Sequence, residues 1–77
     1  MTPEDVLDLI FHELKMAEKK HPGWPDDPVH GVAIIVEEAG EAMQAALDMY
    51  YRNGTFRDLR TELAQTAAMA IRALLHL

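Results

Sequence analysis

An all-α protein of three helices is what this sequence predicts, and three observations lead there. Gly and Pro gather at only two places, Pro22-Gly23-Trp24-Pro25-Asp26-Asp27-Pro28 and Asn53-Gly54, which cut the chain into three segments. Within each segment apolar residues recur at spacings of three and four, with no sustained alternation of period two. Each segment also opens on helix-start residues. The 77 residues form a single domain, 1–77, with helices expected over about 3–20, 28–52 and 56–76.

The first helix has Thr2 as N-cap, Pro3 at the first helical position and Glu4 and Asp5 in the first turn, with Lys15, Lys19 and Lys20 towards its end. Both ends therefore carry charges that oppose the helix macrodipole. Its apolar stripe is Leu7, Ile10, Phe11, Leu14 and Ala17. The second helix starts with Asp27 as N-cap and Pro28 next, and stops at Asn53-Gly54, where Gly54 is expected to take the left-handed C-cap conformation. Its stripe is Ile35, Ala39, Ala42, Met43, Ala46, Met49 and Tyr50. The third begins at Thr55 with Asp58 three residues on, an Asp variant of the capping box, and its stripe is Leu59, Leu63, Thr66, Ala70, Ala73, Leu74 and Leu77. From Leu63 to Ile71 no residue is charged, so this helix is apolar or small on nearly every side. One of its faces should meet the second helix and another a second chain.

Composition narrows the function classes. Thirteen Asp and Glu against seven Lys and Arg give a formal charge of -6, which argues against binding a nucleic-acid polymer and disfavours an anionic membrane surface. With no cysteine, neither disulfides nor a thiolate metal site can reinforce the fold. A chain this short buries only about 60% of its unfolded surface. Self-association to a homodimer or homotetramer, completing a helical bundle, is the expected remedy. No uncharged apolar run approaches the roughly 20 residues of a membrane span, and the N-terminus opens acidic, so a cytoplasmic location is expected.

Rotation by about 100° per residue shows where each acid points. In the second helix Glu37, Gln44 and Asp48 lie opposite the stripe and should be solvated. Glu38 falls on the flank of the stripe beside Ala42, Ala45 and Met49, with Glu41 one turn further along the same flank. Glu62 and Gln65 occupy the matching flank of the third helix. Antiparallel helices would bring these pairs together as three carboxylates and one amide oxygen. Such a group repels itself and tolerates partial burial only beside a cation. All-oxygen ligands suit a hard ion, Mg2+ or alternatively Mn2+. The plainer reading is that all three acids reach past the flank into water.

These residues carry a resemblance. Glu37-Glu38-Ala39-Gly40-Glu41 followed by Glu62-Leu63-Ala64-Gln65 is similar to the EExxE plus ExxD signature of the MazG-like, all-alpha nucleoside triphosphate pyrophosphohydrolases, and the likeness is strongest from Val32 to Leu74. It implies magnesium-dependent attack of water on a nucleoside triphosphate, giving a monophosphate and pyrophosphate, by dimers or tetramers whose chains share one bundle. By position it implies Glu38, Glu41 and Glu62 as the catalytic metal ligands. Gln65 departs from the family Asp; its carbonyl can coordinate magnesium but brings one negative charge fewer. The chain is therefore a one-metal enzyme, an enzyme with shifted ligands such as Asp58, or a degenerate module that binds a nucleotide or protein partner without turnover. A purely structural dimerisation module is a third class.

Other residues have two readings each. The resemblance implies that Trp24, between the first two helices, stacks on the nucleotide base; otherwise it is a linker lid over the bundle. His21 either bonds a base or phosphate or simply ends a helix. Lys19 and Arg57 are the phosphate partners chosen from Lys15, Lys19, Lys20, Arg57 and Arg60, all of which also fit a solvated face. Glu18 and His21 make one Glu-x-x-His pair, whereas di-iron carboxylate bundles use two. His30 should cap or face solvent, and Met16, Met43, Met49 and Met69 should fill core or interface.

Overall fold

The computed structural model describes residues 1–77 and contains three helices and no strand: α1 Pro3–Lys20, α2 Pro28–Tyr51 and α3 Phe56–Leu75. The second and third helices each end one residue short of the limit read from sequence. All three expected N-caps form. Thr2 Oγ1 accepts from the Asp5 amide at 3.1 Å and Asp5 Oδ2 accepts from the Thr2 amide at 3.0 Å, a complete reciprocal box. Asp27 Oδ1 accepts from Val29 N at 2.9 Å, and Thr55 Oγ1 accepts from Asp58 N at 3.1 Å. The Asp58 carboxylate returns no bond, so only half of that box is made.

α3 is the central element. It packs against both α1 and α2, which make no close backbone approach to each other. Gly54 folds back on Asp48, while Ile34 and Ile35 near the start of α2 pack on Ala68 and Met69 towards the end of α3, so the two helices run antiparallel. Small residues are the buried ones on both helices, Ala42 and Ala45 on α2 and Ala64 and Ala68 on α3. The core proper is Leu14, Ala68 and Met69, ringed by half-buried Ile10, Ala17, Trp24, Ile34, Ile35 and Ile71.

The buried faces are rotated from the stripes expected in sequence. On α2 the inward line is Gly31, Ile34, Ile35, Glu38, Ala42, Ala45 and Met49, whereas Ala39, Met43 and Tyr50 of the expected stripe are exposed. Leu7 and Phe11 on α1, Leu63 and Leu74 on α3, and Leu77 beyond its end are exposed as well. The reason is that helices with apolar residues all round do not announce which side meets which neighbour, and short side chains win the closest approach. Asp48, expected in solvent, is half-buried; its Oδ1 accepts from Gln44 Nε2 and Arg52 Nη1, both at 2.8 Å, which lowers its pKa.

Gly54 is not left-handed, since no residue has positive φ. Its role is steric. The Gly54 amide donates to the Asp48 carbonyl at 3.1 Å, and a Cβ there would lie 2.7 Å from the Asp48 carbonyl carbon. The α2–α3 turn thus doubles back so tightly on α2 that no side chain fits. No helix is long and apolar enough to cross a membrane.

Candidate metal centre

Glu38, Glu41 and Glu62 meet where α2 and α3 run alongside each other, one oxygen from each lying within 4.8 Å of the others. The matched flank positions and the antiparallel crossing produce this cluster: Glu38 and Glu41 are one turn apart on α2, and Glu62 comes from the facing helix. Glu38 and Glu62 are half-buried and Glu41 exposed. Partial burial pushes the Glu38 carboxyl above its ordinary range, helped by the charges of Glu41, Glu62 and Glu37. Burial raises Glu62 too, followed by the close approach and charge of Glu41, then by Asp58 and Glu13. Glu62 Oε2 is enclosed and has no hydrogen-bond partner. Mutual repulsion, desolvation and an orphaned oxygen describe a group that could hold a hard divalent ion.

Gln65 lies one turn beyond Glu62, but its amide is turned to α1: Nε2 donates to Glu13 Oε1 at 3.0 Å. Glu13, Glu38, Glu41 and Gln65 then line one wall of a groove of ≈ 790 Å3, within the usual range of ligand sites. Lys19, Lys20 and His21 from the end of α1 line it too, as does Arg72 from α3. A smaller acidic recess, formed by Glu41, Asp48, Asp58 and Glu62, continues towards the α2–α3 turn. Asp58 is therefore a close neighbour of the cluster.

Two of the sequence-chosen substrate residues stand elsewhere. Trp24 lines neither groove; it packs on the core, stacks on His76 at 6.1 Å between centroids and lies 5.0 Å from the Arg72 guanidinium carbon. It also covers Gly31, where an added Cβ would stand 3.3 Å from its Nε1. Trp24 thus packs as a cover over the core and Gly31. Arg57 lines neither groove and sits exposed in the first turn of α3. Lys19 and His21 do reach the groove.

Sequence reading missed Glu13 and Arg72. Glu13 has a signal: it stands three residues after Ile10 and four before Ala17, on the flank of the α1 stripe. Arg72 has a stronger one, as the only formally charged side chain after Glu62 in an otherwise apolar helix. An isolated charge in such a run is either a helix-end cap or buried for a purpose. No protein family, curated protein or solved structure is matched by this chain.

Proposed function

We propose that this chain is a magnesium-dependent nucleoside triphosphate pyrophosphohydrolase, of MazG-like architecture, that hydrolyses an NTP or dNTP to the monophosphate and pyrophosphate. The observation carrying the reading is the Glu38, Glu41 and Glu62 cluster, three oxygens within 4.8 Å on a two-helix seam, with the Glu38 and Glu62 carboxyl pKa values raised and one Glu62 oxygen enclosed and unpartnered. Glu38, Glu41 and Glu62 would hold the magnesium, and the Gln65 amide, turned to Glu13 here, would have to swing back to add its carbonyl as a neutral fourth oxygen. Bound magnesium supplies neutralisation of the polyphosphate and a lowered pKa for attacking water. The protein's own part is to hold those carboxylates together before the substrate arrives, which the short side chains of Ala42, Ala45 and Ala64 permit by bringing α2 and α3 close. Glu13 adds a further negative charge beside the seat through its bond to Gln65. The substrate class places the enzyme in the cytoplasm.

A second copy completing the bundle belongs to the same reading. The chain exposes 5830 Å2, against about 4,700 Å2 for a folded monomer of this mass, an excess of roughly 1,100 Å2. Its radius of gyration of 13.1 Å exceeds the about 11.5 Å of a compact chain of this length. That excess matches what one partner brings to an ordinary dimer interface, about 800 Å2. Phe11, 53% exposed, and Met43, 62% exposed, belong to the uncovered apolar faces.

Pyrophosphate release screened across the common NTPs and dNTPs with magnesium should show turnover that Glu38→Ala abolishes; no release from any nucleotide sinks the reading. Gln65 favours one alternative, a degenerate module that binds nucleotide or a protein partner without turnover. Calorimetry would then show nucleotide binding with no product, and Gln65→Asp would restore hydrolysis.

A further inference from the structure

Arg72 is the most deeply buried charge in the chain, only 4% exposed, and it has no counter-ion, because the single ion pair is Arg52 with Asp48 on the surface. Its Nη2 donates to the carbonyls of His21 at 2.7 Å and Gly23 at 3.2 Å. Both bonds use the same nitrogen. Nε is enclosed without an acceptor, and Nη1 donates to nothing in the chain. His21 is the C-cap of α1, so the negative end of that helix and the face of Trp24 are the only compensation this guanidinium receives. The carbonyls and the ring shelter the charge, but Nη1 keeps a donor that no group of the chain takes.

The same groove carries the opposite imbalance. Glu13, Glu38 and Glu41 line it with no cation within ion-pair distance, while Lys19, Lys20 and Arg72 line it with no carboxylate within that distance. Two uncompensated charges of opposite sign thus share one groove without meeting. A ligand that brings both a cation and a multiply charged anion satisfies both at once, and a metal-chelated di- or triphosphate is that chemistry. We propose that Arg72, with Lys19 and Lys20, is the anion arm of this groove and takes phosphate oxygens of a polyphosphate whose metal sits on the glutamates. This rests on the metal seat proposed above and adds the side chains that hold the substrate's phosphates. The planar guanidinium fork suits a phosphate better than an ammonium does. Capping α1 occupies Nη2 and Nε is enclosed, so Nη1 is the donor left for a phosphate oxygen.

The test uses inorganic tripolyphosphate with Mn2+ as probe, read by calorimetry and by the fluorescence of Trp24, the single tryptophan, 5.0 Å from the guanidinium. Lys19→Glu with Lys20→Glu alters two exposed side chains and spares the fold; Arg72→Lys keeps the charge and loses the fork. Each variant should weaken manganese-tripolyphosphate binding by roughly tenfold or more, with binding of Mn2+ alone within about twofold of wild type. Unchanged tripolyphosphate affinity in both variants overturns the proposal and leaves Arg72 as a helix cap, in which case Arg72→Lys moves only the melting temperature. Should Glu38→Ala leave Mn2+ binding intact while these variants still lose tripolyphosphate, the metal seat fails and the anion arm stands.

Discussion

The seam between α2 and α3 and the hub around Arg72 both hold charge away from water, and they handle it in opposite ways. At the seam, Glu38, Glu41 and Glu62 put like charges within 4.8 Å of one another, and two of the three carboxyls respond with raised pKa values. At the hub a single guanidinium is more deeply buried but is wrapped by two carbonyls, a helix end and an indole ring. The seam opposes folding and the hub supports it. Dipoles and a π-face can shelter one charge, whereas three carboxylates are relieved only by protons or a cation. Where charge is left unrelieved is thus what marks a site: all three glutamates at the seam, and at the hub only the Arg72 donor that no carbonyl takes.

Removing the hub should have the largest effect. Arg72→Met deletes the two bonds that tie the 21–23 segment to α3 and should lower stability by about 2 kcal/mol, seen as a fall in melting temperature of roughly 10 °C for a chain this size. A melting temperature unchanged from wild type would mean that the hub supports nothing.

Gly54→Ala attacks the seam through its turn. The new Cβ would press on the backbone of Asp48 and Met49 at 2.7 and 2.8 Å, which cannot yield as a side-chain tip can. A loss of about 1 kcal/mol is expected, together with weaker Mn2+ binding as Glu62 shifts against Glu38 and Glu41. Loss of stability with metal affinity intact would separate the turn from the site.

The smallest effect has the opposite sign. A carboxyl whose folded pKa is raised binds its proton more tightly in the folded state, so its stabilising contribution is complete below the ordinary Glu range and is lost as pH rises through the raised value. Without metal, Glu62→Gln should therefore raise the melting temperature slightly at pH 7 and make no difference near pH 4. With saturating magnesium the order at pH 7 should reverse, because the variant has lost a ligand. Equal melting curves at both pH values would remove the claim that the seam is strained. Asp5 and Asp48 run the other way: their lowered pKa values contribute stability at neutral pH that is lost on acidification, so the seam must be read as the difference between variant and wild type.

Much of the architecture is legible in the order of residues because it is local. Thr2, Asp27 and Thr55 cap because a side-chain oxygen two or three residues before an amide has little choice. The pairing of Glu38 and Glu41 with Glu62 is legible too, since a short turn forces antiparallel helices and helical phase does the rest. The Gln65 amide could not be placed from sequence, because whether it faces the acids or α1 depends on a bond to Glu13, 52 residues away in the chain.

By itself, then, the sequence determined three helices, their ends and the polar pair on each facing flank, all consequences of backbone hydrogen bonding and a period of 3.6 residues. Tertiary structure alone decided which side of each helix is inside, why Gly54 must lack a side chain, and that Trp24 closes over Gly31 and Arg72. Those choices depend on distances between segments that no local rule contains. Where apolar and small residues surround a helix, close approach selects the buried face, and that selection also set a lone arginine and a cluster of glutamates along the same groove.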